Sequence, residues 1–292
     1  VAITQGLSDS TTLGMGLSVV SGVGTDFRGA AGSLDPLAEI LVFGANAGAG
    51  YQLSPNLSIG ATATIAFGLG QLGLSSITSS TSNFGLRGTL GAAYDIGNTT
   101  LGGYYRSPLS IEYQRVVQYA ASDFHDVSVE QPQELAFGLA NDGLMGAKLL
   151  LAADVIWKNW ADAETYQDVY DDQTVFALGA QYTMGALQWR VGYSHADSPL
   201  KSTLGSSLGS ADSIYLGGAT VPLNPVLVQY VQATNTQVIW EDQITLGVGW
   251  QMLPGLQIDA HLAHALENDQ TVGATAVEAS ATHLGIGLTW SF

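Results

Sequence analysis

The 292-residue sequence contains no cysteine, which excludes a disulfide framework and any thiolate metal site. Charge is scarce at 11% of residues, and positive charge scarcest: eight Lys and Arg face 25 Asp and Glu, for a net charge of −17. So few basic groups exclude a nucleic-acid partner, whose phosphates need them. A soluble surface also needs more charge than this, and the mean hydropathy is +0.21. Even so, no run of eighteen or more apolar residues occurs, which removes transmembrane helices. Proline is sparse at 8 residues and glycine abundant at 36, a balance of tight turns and close packing rather than disorder. Val1 to Leu7 carry no basic start of a signal peptide, so the chain reads as mature or truncated.

What is present is alternation. At the end of the chain Leu284, Ile286, Leu288, Trp290 and Phe292 alternate with His283, Gly285, Gly287, Thr289 and Ser291. A period of two puts one apolar and one small, polar face on a strand. The pattern recurs in Leu13–Val19, Phe43–Tyr51, Leu57–Phe67, Phe84–Tyr94, Leu101 to about Tyr113, Glu134–Ala140 and Lys148–Lys158. It continues in Thr174–Tyr182, Leu187–Tyr193, Gln243–Met252 and Leu256–His264. Little is left over to form a core for so many apolar faces, and lipid is the remaining partner. Such strands, with a terminal aromatic, predict an all-β fold: a transmembrane antiparallel β-barrel of the bacterial outer membrane, one domain over 1–292.

The connections alternate too. Short turns sit at Ser54–Asn56, Ile96–Asn98, Asn141–Gly143, Met184–Gly185 and Leu253–Gly255. Longer polar links occupy about Asp26–Asp35, Ser75–Ser82, Ala120–Asp126, Ala161–Asp172, Ser198–Asp242 and Glu267–Thr275. Short periplasmic turns opposite long external loops are the asymmetry of such barrels. Counting back from Phe292 gives about thirteen strands, and the even number usual in these barrels predicts about fourteen, with one ascending strand before Val1. Trp157, Trp160, Trp189, Trp250 and Trp290, with Tyr51, Tyr94, Tyr182 and Tyr193, fall near strand ends, where interfacial girdles lie.

In family order, several segments resemble the FadL/TodX family of outer-membrane transporters for long-chain fatty acids and other hydrophobic compounds. They are Ser8–Gly16, Gly22–Phe27, Gly50–Gly60, Gly103–Ser107, Gln131–Glu134, Ala153–Trp160, Arg190–Tyr193 and Ser198–Pro199. The resemblance implies a barrel plugged by an N-terminal hatch, with substrate leaving sideways through a kinked third strand, which corresponds here to Thr12–Val23. The family's hatch and its asparagine-proline-alanine motif have no counterpart in this sequence, as expected if the N-terminus is missing. The segment Ser75–Ser82 is shorter than the family's substrate-collecting loop.

Alternation turns five of the eight basic residues inward: Arg87, Arg106, Lys148, Lys158 and Arg190. Arg87 and Arg106 flank one turn at similar distances and are expected side by side. Arg87, Arg106, Lys148 and Arg190 form either a carboxylate-binding pocket, since Arg grips carboxylates bidentately, or a set of wall salt bridges and hatch contacts with Glu134, Asp154 and Asp259. Replacing Arg87 and Arg106 is then expected to weaken uptake of an acid selectively. Gly14 and Gly16 either permit a kink that opens the wall sideways or serve close packing. The link Ser198–Asp242 holds Leu223, Val226, Leu227 and Tyr230 in a stretch too apolar for an exposed loop. It collects substrate, folds into the mouth as a lid, or makes a small core of its own.

No metal-ligand spacing links His195, His261, His264 and His283, and no nucleophile and base share an inward face. Neither metal, cofactor nor enzymatic activity is expected. The function expected is a passive channel for hydrophobic small molecules, a monomer set among outer-membrane lipid and lipopolysaccharide. A general water-filled porin is the alternative, since alternation and turn parity suit it equally.

Overall fold

A computed structural model describes residues 1–30, 34–74, 80–235, 239–273 and 275–291. It contains strands β1 (Ala2–Ser8), β2 (Thr11–Asp26), β3 (Pro36–Ser54), β4 (Leu57–Leu74), β5 (Thr81–Ile96) and β6 (Thr99–Arg106). Next come β7 (Leu109–Gln118), β8 (Phe124–Gln131), β9 (Glu134–Gly143), β10 (Leu149–Lys158), β11 (Gln173–Met184) and β12 (Leu187–Ala196). The chain finishes with β13 (Ser213–Leu216), β14 (Ala219–Pro222), the helix α1 (Pro225–Asn235), β15 (Asp242–Leu253), β16 (Leu256–Val272) and β17 (Thr275–Trp290).

Thirteen strands form one sheet in the order β1-β2-β3-β4-β5-β6-β9-β10-β11-β12-β15-β16-β17, each neighbour antiparallel. The sheet curls: α1 touches β2 and β3 near one edge and β16 and β17 at the other. Apolar residues cover its outer face, where Leu284, Ile286, Leu288 and Trp290 are 82%, 88%, 66% and 70% exposed. Side chains so apolar and so bare are stable only against lipid, so the thirteen strands have the build of a membrane barrel. Phe292, expected on the same face, lies outside the described residues.

The small inward residues have local causes. An added Cβ at Gly138 would strike Asp154, one at Gly285 would strike the His261 ring, and one at Gly249 would meet Asp259 and Arg190. Glycine on one strand makes room for a long polar side chain on its neighbour.

Several expectations need correction. The alternation Leu101–Tyr113 is not one strand. β6 ends at Arg106, Ser107-Pro108 breaks it, and β7 turns away to pair only with β8 as a separate two-stranded sheet. Proline cannot donate to a ladder, so the break falls where the chemistry puts it. The link Glu267–Thr275 is mostly strand, because β16 runs to Val272 and β17 starts at Thr275. Most of the short segment Ser75–Ser82 lies outside the described residues.

Candidate functional site

The lumen at the long-loop end is filled by the loops themselves. The β7–β8 hairpin brings in Leu109, Ile111, Tyr113, Val116, Val127 and Val129, all buried. They join Ile40, Val42, Ala66 and Leu74 of the wall, Val169 and Tyr170 from the β10–β11 link, and Leu204, Ala211, Ile214, Leu223 and Val228 from the β12–β15 link. The alternating apolar set that faces lipid elsewhere here faces other protein.

Wall glycines let the hairpin dock. An added Cβ would stand 2.6 Å from the Tyr113 ring at Gly70 and 2.7 Å from Leu109 at Gly85, and would collide with the Tyr113 hydroxyl at Gly68. Only glycine permits so close an approach of a buried aromatic to a strand. Among the described residues polar ties between hairpin and wall are few: Asn83 Nδ2 donates to Glu112 O at 2.9 Å, and just before the hairpin the amide of Gly88 donates to Ser107 Oγ at 3.0 Å and that of Ser107 to Gly88 O at 2.9 Å. The hairpin is better tied to the other loops. Thr165 Oγ1 donates to Ser128 O at 2.6 Å, the Glu130 amide to Glu164 O at 3.3 Å, and Ser213 meets His125 at 3.1 Å.

Helix α1 starts where Asn224 Oδ1 accepts the amides of Val226 and Leu227 at 3.0 and 3.1 Å, with Pro225 in the first turn. Leu223 and Val228 are buried, Leu227, Tyr230 and Val231 pack against the same core, and Val226 is exposed. The Leu34 amide donates to Tyr230 Oη at 2.8 Å, fastening the helix to the β2–β3 link. The apolar link therefore folds into the mouth.

Inside this plug lies an apolar cavity of about 250 Å³. Ser21, Val23, Ala38 and Ile40 of the wall line one side; Val117, Val127 and Val129 of the hairpin line another. Trp160, Tyr166, Tyr170, Ile214, Leu223 and Val231 add to it, with Gln118, Gln131, Thr165 and Gln232 as further polar members beside Ser21 and no charged side chain in the lining. Tyr166 stacks on Tyr170 with centroids 5.3 Å apart, and Trp160 meets both edge-on at 4.8 and 5.7 Å. Trp160, expected in the interfacial girdle, thus packs among the loops. Burial pushes the Tyr166 hydroxyl up to about 12 and raises that of Tyr170 as well, so both stay neutral. Nearer the short turns, Gly14, Gly16, Asn46, Gly48, Gly60, Thr62, Thr89 and Gly91 border a more open space of about 760 Å³.

None of the four basic candidates lines the cavity. Arg87 and Arg106 do sit together, opposite Thr64 and Thr89 in register. Arg106 Nη1 already holds Glu134 at 2.7 Å, and Arg87 donates to Pro132 O at 3.4 Å. Arg190 is bonded to Asp259 at 2.6 Å and to Gln181 and Gln188. Lys148 lies exposed in the β9–β10 turn.

Pairing is regular at both glycines of the proposed lateral opening. Gly14 faces Thr4 and Gly48, and Gly16 faces Ala2 and Asn46. A Cβ at Gly16 would come within 2.9 Å of Val1 O, so close packing explains that residue. The departure from regular pairing in β2 is a bulge at Val20, between Val19 and Ser21. There two successive residues turn inward, Val20 over Gly44 and Ser21 into the cavity lining.

No protein-family model and no curated protein sequence matches this chain. Solved structures do. The toluene transporter TodX of Pseudomonas putida matches at TM-score 0.67 and 18% identity, over 100% of this chain and 82% of that one. A FadL homologue of Pseudomonas aeruginosa matches at 0.72 and 14%, over 99% and 77%. The toluene transporter TbuX of Ralstonia pickettii matches at 0.67 and 15%, over 100% and 80%. The fold is that of the FadL/TodX barrels, as the ordered sequence segments implied.

Proposed function

We propose that this FadL/TodX-type barrel is a passive channel through which small hydrophobic compounds cross the bacterial outer membrane. In this reading its apolar belt meets membrane lipid, and its loop end meets lipopolysaccharide. The observation that carries it is the cavity at the mouth: apolar, without a charged lining residue, and built by loops folded inward. A general porin needs a continuous water-filled path, and an apolar plug of this kind opposes one. The fold neighbours named as toluene transporters support the same class of cargo.

Arg106 and Arg190 favour neutral over anionic cargo, since they spend their charge on Glu134 and Asp259. For lateral release, the wall beside Val20 is the better candidate than Gly14 or Gly16, because the bulge and the cavity share Ser21. No chemical step is assigned to the protein.

Paired uptake tests the reading in cells whose outer membrane otherwise excludes hydrophobic solutes. Expression is expected to speed entry of radiolabelled toluene and leave entry of maltose unchanged. Faster maltose entry without faster toluene entry would establish the porin instead.

A further inference from the structure

Strand β8 pairs with β7 along one edge, and among the described residues no strand pairs with the other edge. That second edge is held by the remaining loops. Ser210 Oγ donates to Asp126 O, Thr165 Oγ1 to Ser128 O at 2.6 Å, and the Glu130 amide to Glu164 O at 3.3 Å. The bonds fall on alternate residues, which is the spacing of one edge of a strand. Two of the three come from side-chain hydroxyls, where a ladder would use backbone amides. This seam divides the cavity lining. Val117, Val127 and Val129 of the hairpin stand on one side, and Tyr166, Tyr170, Ile214, Leu223 and Val231 on the other. The far side is itself tied together: the Lys201 amide donates to Val169 O at 2.9 Å, and that of Asp171 to Pro199 O at 2.7 Å.

Thr165 sits in the middle of this seam in a strained conformation, with φ 74° and ψ −47°. These are the dihedrals of the rare, strained form of the γ-turn, and a β-branched residue is out of place there. Five described residues other than glycine have positive φ, and of these Thr165 alone lines the cavity. Gly209, itself at φ 61°, presses against it: an added Cβ there would stand 2.5 Å from Thr165 Oγ1. Strain of this kind persists only where the surroundings over-determine it, and it gathers at clamps and switches. The bond to Ser128 O ends when the hairpin moves away, and Thr165 is then free to relax. Its strain therefore lowers the cost of parting the seam, against the bonds that keep the seam shut. A buried cavity needs such a balance, since no solute enters one that never opens.

We propose that the free edge of β8 is the gate of the cavity and Thr165 its strained latch. A solute enters when the hairpin and the other loops part at this residue. The bond from Thr165 Oγ1 to Ser128 O, formed again, shuts the plug behind it. This rests on the channel reading above and adds how its cavity is opened.

The test reads opening from the labelling of a buried thiol, in a chain that has no cysteine of its own. Ile214→Cys puts one in the cavity lining, at a position 7% exposed. The protein in lipid nanodiscs is treated with a small methanethiosulfonate, whose rate of reaction follows the fraction of time the cavity is open. Thr165→Val, added to Ile214→Cys, keeps the shape and the strain but loses the bond, and should speed labelling about tenfold. Thr165→Gly loses the bond and relieves the strain, so it should label several-fold more slowly than Thr165→Val. Thr165→Ser keeps the hydroxyl and should label no faster than the protein with Thr165 intact. Unfolded protein gives the rate of an unprotected thiol, and a rate well below it shows that a variant keeps its plug. If Thr165→Val reaches that rate, the other two decide: Thr165→Gly below it, with Thr165→Ser no faster than Thr165, upholds the latch. Equal rates for the valine and glycine variants below that limit would overturn the proposal, because the conformation would then store nothing. So would a Thr165→Val rate that does not rise, or a Thr165→Ser rate as fast as that of Thr165→Val. Excess toluene should slow labelling by filling the cavity. Labelling that toluene leaves unchanged, with the order of the Thr165 variants intact, would uphold the latch and count against the channel reading.

Discussion

Tyr113→Ala should unplug the barrel without unfolding it. Tyr113 is 1% exposed, and its ring lies over Gly68 and Gly70 of β4. Deleting a large buried aromatic costs about 3–5 kcal/mol, from lost transfer energy and the cavity left behind. That loss falls on one interface. The β7–β8 hairpin is a separate two-stranded sheet, and among the described residues few hydrogen bonds tie it to the wall. The thirteen-stranded ladder does not depend on it. At about 1.4 kcal/mol per factor of ten, the undocked population of the hairpin should rise by roughly two orders of magnitude or more. Ion conductance in planar bilayers reads this directly: the unaltered protein should conduct poorly, and the variant should show frequent large openings. Heat-dependent unfolding of the barrel in detergent should move by only a few degrees. A variant with unchanged conductance and a much lower unfolding temperature would refute the reasoning, because the hairpin would then be part of the barrel's stability and not a plug.

Tyr113→Phe should act oppositely, since the Tyr113 hydroxyl is buried without a hydrogen-bond partner among the described residues; removing it should leave stability unchanged or raise it by about 1 kcal/mol in thermal unfolding. Replacing Arg106 and Arg190 together with Gln should cost about 1–2 kcal/mol of barrel stability, discounted for their partial exposure, and should slow uptake of a hydrophobic acid and a hydrocarbon alike. A loss confined to the acid would restore a carboxylate site. Plug stability should be flat from neutral pH to about 9 and fall above about 10. The Tyr166 hydroxyl is pushed up to about 12 by burial, so between the unfolded and folded values the docked state holds a proton that the undocked state releases. Conductance measured against pH should rise through that window.

The wall was readable because a barrel strand repeats every two residues and lipid selects one face. The plug was harder for the same reason. Leu109, Ile111 and Tyr113 alternate as lipid-facing residues do, and only Ser107-Pro108 marks where the strand leaves the sheet. Helix α1 carried a local signature in Asn224-Pro225, a cap followed by a first-turn proline, with Leu227, Val228 and Val231 at helical spacing. The bulge in β2 is a slip of phase: Leu13, Met15, Leu17 and Val19 face out, and beyond Val20 the outward positions are Gly22 and Gly24. Two adjacent valines do not reveal which of them is extra. Nothing in the order of residues could show that Gln118 and Trp160 line one cavity, because their meeting depends on how two separate loops fold into the lumen.

The most direct measurement is to locate a bound hydrophobic compound by anomalous scattering, in crystals of the protein soaked with iodobenzene. The account predicts an iodine site inside the plug, enclosed by Tyr170, Ile214 and Leu223. Iodine found only along the lipid-facing strands, with none in the plug, would contradict it.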